Sequence, residues 1–98
     1  LSRGAPKTII GNYTILKSDN WIICNSSSTI TITLPSSTDN IGRELMFKNI
    51  GSGAVNSLIS NITSLDGTTT TTQILSGTAG QWATLVYDGS NWNIMQGS

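Results

Sequence analysis

The residues able to do chemistry in this chain are few, and they lack a base. The sequence contains no His, so its many Ser hydroxyls and its one thiol have no usual activator, and acyl-transfer chemistry by a triad is not expected. Glycosidic hydrolysis needs two carboxyls at a set separation, and Asp19, Asp66, Asp88 and Glu44 are the candidates. Asp19, Asp66 and Asp88 fall at expected turns. Asp66 and Asp88 each precede Gly, where Asp serves as a turn former, and Glu44, pointing away from Arg43 along an extended segment, reads as a solvated or interface charge. No catalytic residue is assigned and no enzyme is expected. Cys24, between Ile23 and Asn25, has no disulfide partner in the chain and no His to share a metal with, so it reads as a buried packing thiol. No metal site or cofactor is expected.

Binding chemistry has more to work with. Sugars are held by aromatic platforms and by amides, and Asn91 and Asn93 flank Trp92 just after Asp88. Asp88, Asn91 and Asn93 are therefore candidate glycan ligands, with turn formation as their competing role. Trp21, Trp82 and Trp92 lie in expected strands of a domain poor in other aromatics, so with Leu85 and Tyr87 they are assigned to the core or to a subunit interface first. Asn-x-Ser/Thr triplets at Asn12, Asn25 and Asn61 are the chance product of a chain in which Ser, Thr, Asn and Gly make up about half of all residues. Five basic residues balance five acidic ones, so no net field draws in nucleic acid or an anionic membrane. No apolar run approaches a bilayer span, and no membrane insertion is expected.

The elements that must position these groups are strands. The 98 residues are one domain's worth. Residues 1–7 read as a linker, the cut end of a longer chain whose missing part lies upstream, and residues 8–98 as a single domain. Strong helix formers are sparse, and no window shows apolar residues at spacings of three and four. Strands are expected at 7–10, 13–16, 21–24, 29–34, 43–49, 54–59, 69–75, 82–87 and 92–96, separated by Gly-, Asn- and Ser-rich turns. In residues 29–34, Ile30, Ile32 and Leu34 alternate with three Thr before Pro35 ends the strand. The spacing predicts an all-β domain: an antiparallel β-sandwich, jelly-roll-like, of about eight short strands. Asp88-Gly89 is the strongest hairpin signal, and no solenoid repeat of fixed period is visible. Three strands are apolar on both sides. Trp82 and Val86 oppose Leu85 and Tyr87, and Trp21-Ile22-Ile23-Cys24 and Leu45-Met46-Phe47 do the same. A domain this small has few layers to cover both faces, which predicts a homo-oligomer.

The order of segments also carries a resemblance. Tyr13-Thr14-Ile15, Asp19, the Ile-Thr-Ile-Thr-Leu-Pro of residues 30–35, Gly42-Arg43, the Lys-Asn-Ile-Gly of residues 48–51, Leu65-Asp66-Gly67 and the Asp-Gly-Ser-Asn-Trp of residues 88–92 follow one another over some eighty residues. In that order they resemble a C-terminal β-module of bacteriophage tail fibres and other virion appendages. The resemblance implies a structural fibre domain on the outer face of a virion, a homotrimer that presents loops for host attachment, with a host-surface glycan as a possible ligand. The alternative is a carbohydrate-binding module of an adhesin or polysaccharide-active enzyme. Residues 54–62 depart from the pattern: Asn56, Ser57 and Asn61 stand where a cleaner Val and Thr alternation is expected.

Overall fold

In a computed structural model, residues 4–97 are described; residues 1–3 of the expected linker and Ser98 lie outside the described residues. The described residues form eleven strands: β1 (Lys7–Ile9), β2 (Tyr13–Thr14), β3 (Trp21–Cys24), β4 (Ile30–Thr33), β5 (Glu44–Asn49), β6 (Val55–Ser57), β7 (Ile62–Thr63), β8 (Thr70–Thr71), β9 (Gln73–Leu75), β10 (Trp82–Tyr87) and β11 (Trp92–Gly97). A single 3-10 turn, Thr38–Asn40, interrupts the connection from β4 to β5. The strands make two sheets, one of seven in the order β1-β3-β5-β10-β11-β7-β8 and one of four in the order β2-β4-β6-β9. The protein is an all-β domain of two mixed sheets.

The expected antiparallel pairing is corrected in part. β1 with β3, β3 with β5, β2 with β4, β4 with β6 and β7 with β11 are parallel, while β5 with β10, β10 with β11, β6 with β9 and β7 with β8 are antiparallel. Short loops suggest hairpins because antiparallel strands can be joined by two residues. Here most short loops cross from one sheet to the other. β3 leads to β4 in the small sheet, residues 34–43 return to the large sheet, and β5 arrives beside β3 in the same direction. The pairs Trp21 with Met46 and Ile30 with Val55 share one offset of 25 residues, so a coil repeat exists where none was visible. It hides because the equivalent residues differ in type: Trp21 and Met46, Ile23 and Lys48, Cys24 and Asn49.

The turns of successive coils stack closely. A Cβ on Gly51 would collide with the backbone of Ser26, and one on Gly53 with that of Ser28, so these turns require glycine. Fully buried Asn49 binds the stack together. Its Nδ2 donates to the carbonyls of Gly53 (2.9 Å) and Ser76 (2.8 Å), and its Oδ1 accepts from the Gly51 N–H (3.0 Å).

The number of strands exceeds the expected eight for local reasons. Residues 69–75 change sheets: Thr70–Thr71 pairs with β7 in the large sheet and Gln73–Leu75 with β6 in the small one. β7 is only two residues long and carries too little pattern to read. The core lies between the sheets, with Ile22, Leu45, Phe47, Leu85 and Trp92 from one and Ile30, Ile32, Val55 and Leu75 from the other. Of the polar residues that break the pattern in 54–62, Ser57 and Asn61 are buried as a pair, the Ser57 hydroxyl donating to Asn61 Oδ1 at 2.6 Å, while Asn56 faces outward.

Candidate interaction face and hairpin

Alternation along the central strands of the large sheet sends one set of side chains to the core and the other outward. On β3, Ile22 and Cys24 are buried while Trp21 and Ile23 face out; on β5, Leu45, Phe47 and Asn49 are buried while Met46 and Lys48 face out; on β10, Ala83, Leu85 and Tyr87 are buried while Trp82, Thr84 and Val86 face out. Register aligns the outward set. Trp21 lies opposite Met46, Met46 opposite Thr84, and Lys48 opposite Trp82, so the two indoles flank β5 diagonally, two strand spacings across the sheet and two residues along it, with their backbones roughly 12 Å apart. Between them runs an apolar groove of about 550 Å³, closed at its margin by Gly4 and Pro6. Trp21 and Trp82 keep 40% and 39% of their surface exposed.

The small sheet presents a different exterior. Thr14, Thr31, Thr33, Asn56 and Gln73 form its outward positions, so apolar exposure on the sheet faces is concentrated on the large one. Among the described residues, Leu58 (60% exposed) and Ile59 (57%) are the other adjacent pair of exposed large hydrophobics, in the loop after β6.

The five residues assigned to core or interface divide between the two. Trp92, Leu85 and Tyr87 lie in the core, where Trp92 stacks on Tyr87 with ring centroids 5.0 Å apart. Their polar ends are satisfied: Trp92 Nε1–H donates to the Pro35 carbonyl at 3.0 Å and the Tyr87 hydroxyl to that of Ser36 at 2.9 Å. Trp21 and Trp82 stand outside.

The hairpin residues Asp88, Asn91 and Asn93 are brought together. Asp88 Oδ1 accepts from the backbone N–H of Ser90 (2.8 Å) and Asn91 (2.7 Å), and Oδ2 accepts from Asn93 Nδ2 (2.8 Å). Those donors, the Asn91 N–H first, then the Asn93 amide and the Ser90 N–H, hold the Asp88 carboxyl below the usual carboxylate range. Gly89 supplies the φ of 101° that the turn requires. The Asp88 carboxylate is thus engaged by its own hairpin. Asp66 does the same in the β7–β8 connection: the hydroxyls of Ser64 and Thr68 and the Thr68 N–H bring its carboxyl down to about 2.

Asp19 and Arg43 carry a role that single-residue reading missed. Asp19 accepts from the Tyr13 hydroxyl (2.6 Å) and the Leu16 N–H (2.7 Å), while Arg43 donates to the carbonyls of Leu16 (2.7 Å) and Asp19 (2.8 Å) and to Asn40 Oδ1 (3.1 Å). Together they clasp the β2–β3 loop to the start of β5. Burial, followed by the hydrogen bond to Asp19, pushes the Tyr13 hydroxyl up to about 12. Asp19 and the Gly42-Arg43 pair were visible in the sequence among the segments of the resemblance, but their meeting depends on the parallel coil. Burial also raises the Cys24 thiol to about 12. Among the described residues, no three His, Cys, Asp or Glu side chains gather as metal ligands, and no helix is long and apolar enough to cross a membrane.

No family model matches the chain, and no curated protein or solved structure matches it. The arrangement itself offers a broad apolar contact surface and a set of internally bonded polar loops.

Proposed function

We propose that this protein is a non-enzymatic structural module of a virion fibre, working as a homotrimer that holds the fibre together and presents loops toward a host surface. The observation that carries the reading is the outward apolar face of the large sheet, since a lone copy leaves two indoles, Ile23 and Met46 in contact with water. The resemblance of the ordered sequence segments to phage fibre modules supports the same reading. Sedimentation equilibrium at micromolar concentration tests the assembly, with a trimer expected and a single chain refuting it. Adsorption of the purified domain to candidate host cells tests the attachment role; failure to adsorb would leave assembly alone.

Trp21 and Trp82 also favour a second reading, a glycan-binding module, because pyranose faces stack on exposed indoles. A glycan array tests it. Binding that weakens in the double variant Trp21→Ala/Trp82→Ala would support it, and silence across the array would remove it.

A further inference from the structure

The geometry points to the outer face of the large sheet, centred on Trp21, Met46 and Trp82, as the surface that a second copy of this chain covers; this rests on the assembly reading above and assigns it a place.

Four observations select this face and this occupant. The first is extent. Seven strands at ~4.8 Å make a sheet about 29 Å wide, and six-residue strands are about 20 Å long. Only β5, β10 and β11 reach that length, so the plane covered by the strands is about 460 Å² before side-chain relief is added, over half of the roughly 800 Å² per partner of a standard interface. The second is chemistry. Among the described residues, Lys48, Thr84 and the two indole N–H groups are the polar side-chain groups that line the groove, whereas a sugar needs several convergent hydrogen-bonding groups to fix its orientation. Large aromatic and Met side chains at the centre of a contact are what protein interfaces favour.

The third is charge. Glu44 and Lys48 stand at opposite ends of the outward side of β5, so the face has no field of one sign, and like faces of neighbouring copies turned toward a common threefold axis meet no net repulsion. The fourth is contrast. The opposite sheet turns Thr14, Thr31, Thr33, Asn56 and Gln73 outward, a surface that water already satisfies.

The test compares the mass of the wild-type chain with that of Trp21→Gln/Trp82→Gln and of Leu58→Gln/Ile59→Gln by sedimentation equilibrium. Trp92, fully buried, remains as an intrinsic fluorophore in both variants and reports whether each is folded. The inference expects the Trp variant to stay folded while its mass drops to that of one chain, and the Leu58/Ile59 variant to keep the wild-type mass. An assembled Trp variant, or dissociation by the Leu58/Ile59 change alone, overturns the placement while leaving the assembly reading intact. A wild-type chain that is itself single overturns both. Should the Trp variant fail to fold, acrylamide quenching of the wild type decides: indole emission shielded when assembled and opened on dilution supports the placement, and equal quenching at both concentrations overturns it. Emission of a single-copy wild type that responds to cellohexaose would give the face to a glycan instead.

Discussion

Asn49 is the residue on which the stacked turns depend most, and its replacement gives a magnitude that can be worked from its bonds. Asn49→Ala removes one accepted and two donated hydrogen bonds at a fully buried position. At about 1 kcal/mol net for each, the loss is about 3 kcal/mol, a large share of the ~5–15 kcal/mol that holds a domain folded. With an m value of ~1.5 kcal/mol/M, the urea midpoint should fall by about 2 M. Asn49→Asp sharpens the argument. It keeps size and the acceptor but places a carboxylate oxygen where Nδ2 now lies 2.9 Å from the Gly53 carbonyl and 2.8 Å from that of Ser76. Oxygen would face oxygen at both contacts. At pH 7, Asn49→Asp should therefore be at least as destabilised as Asn49→Ala, measured by equilibrium urea unfolding at one fixed protein concentration, since the proposed assembly would couple to stability. An Asp variant within about 0.5 kcal/mol of wild type would refute the account of the stack, since ordinary surface changes fall within that range.

Gly53→Ala should lower stability by about 2 kcal/mol, the cost of forcing a methyl into a packed position, because the added carbon meets the Ser28 backbone; thermal unfolding of the variant checks this. Asp66 titrates at about 2 when folded and near ~3.9 when unfolded, so its contribution is complete above ~pH 4 and is lost as pH falls toward 2. A pH series of urea midpoints should lose that acid-side decline in part when Asp66→Asn is compared with wild type, and parallel profiles would contradict it. The Cys24 thiol, buried and raised to about 12, should resist a disulfide reagent at pH 8 in the folded protein and react promptly in urea; quick labelling without denaturant would show the site to be open.

Much of this architecture is written in local pattern. The Ile-Thr alternation of residues 30–33 specifies β4 and its buried face, and the alternation of residues 21–24 and 82–87 specifies two apolar faces on β3 and β10 without saying which one leaves the core. Asp88-Gly89 specifies its hairpin because Gly takes the positive φ and Asp caps the turn. What local pattern does not carry is which strand lies beside which. Parallel stacking arises because short turns cross between sheets, and nothing in a turn such as Gly51-Ser52-Gly53 distinguishes a crossing from a hairpin until the preceding coil is in place. The 25-residue offset is masked for a related reason: stacked positions need only fit the same space, so Trp21 rests beside Met46 and Cys24 beside Asn49. Of the candidate site, the outward indoles were legible as core or interface, but separating them from Trp92 required the register, because all three stand at strand starts.

The outward face of β3, β5 and β10 makes the strongest demand on the molecule's state in solution. Sedimentation equilibrium of the intact chain across a range of micromolar loadings should return three times the 10.4 kDa of one chain, with Trp21 and Trp82 shielded from water. A uniform single-chain mass throughout, with both indoles freely quenched, would contradict the account.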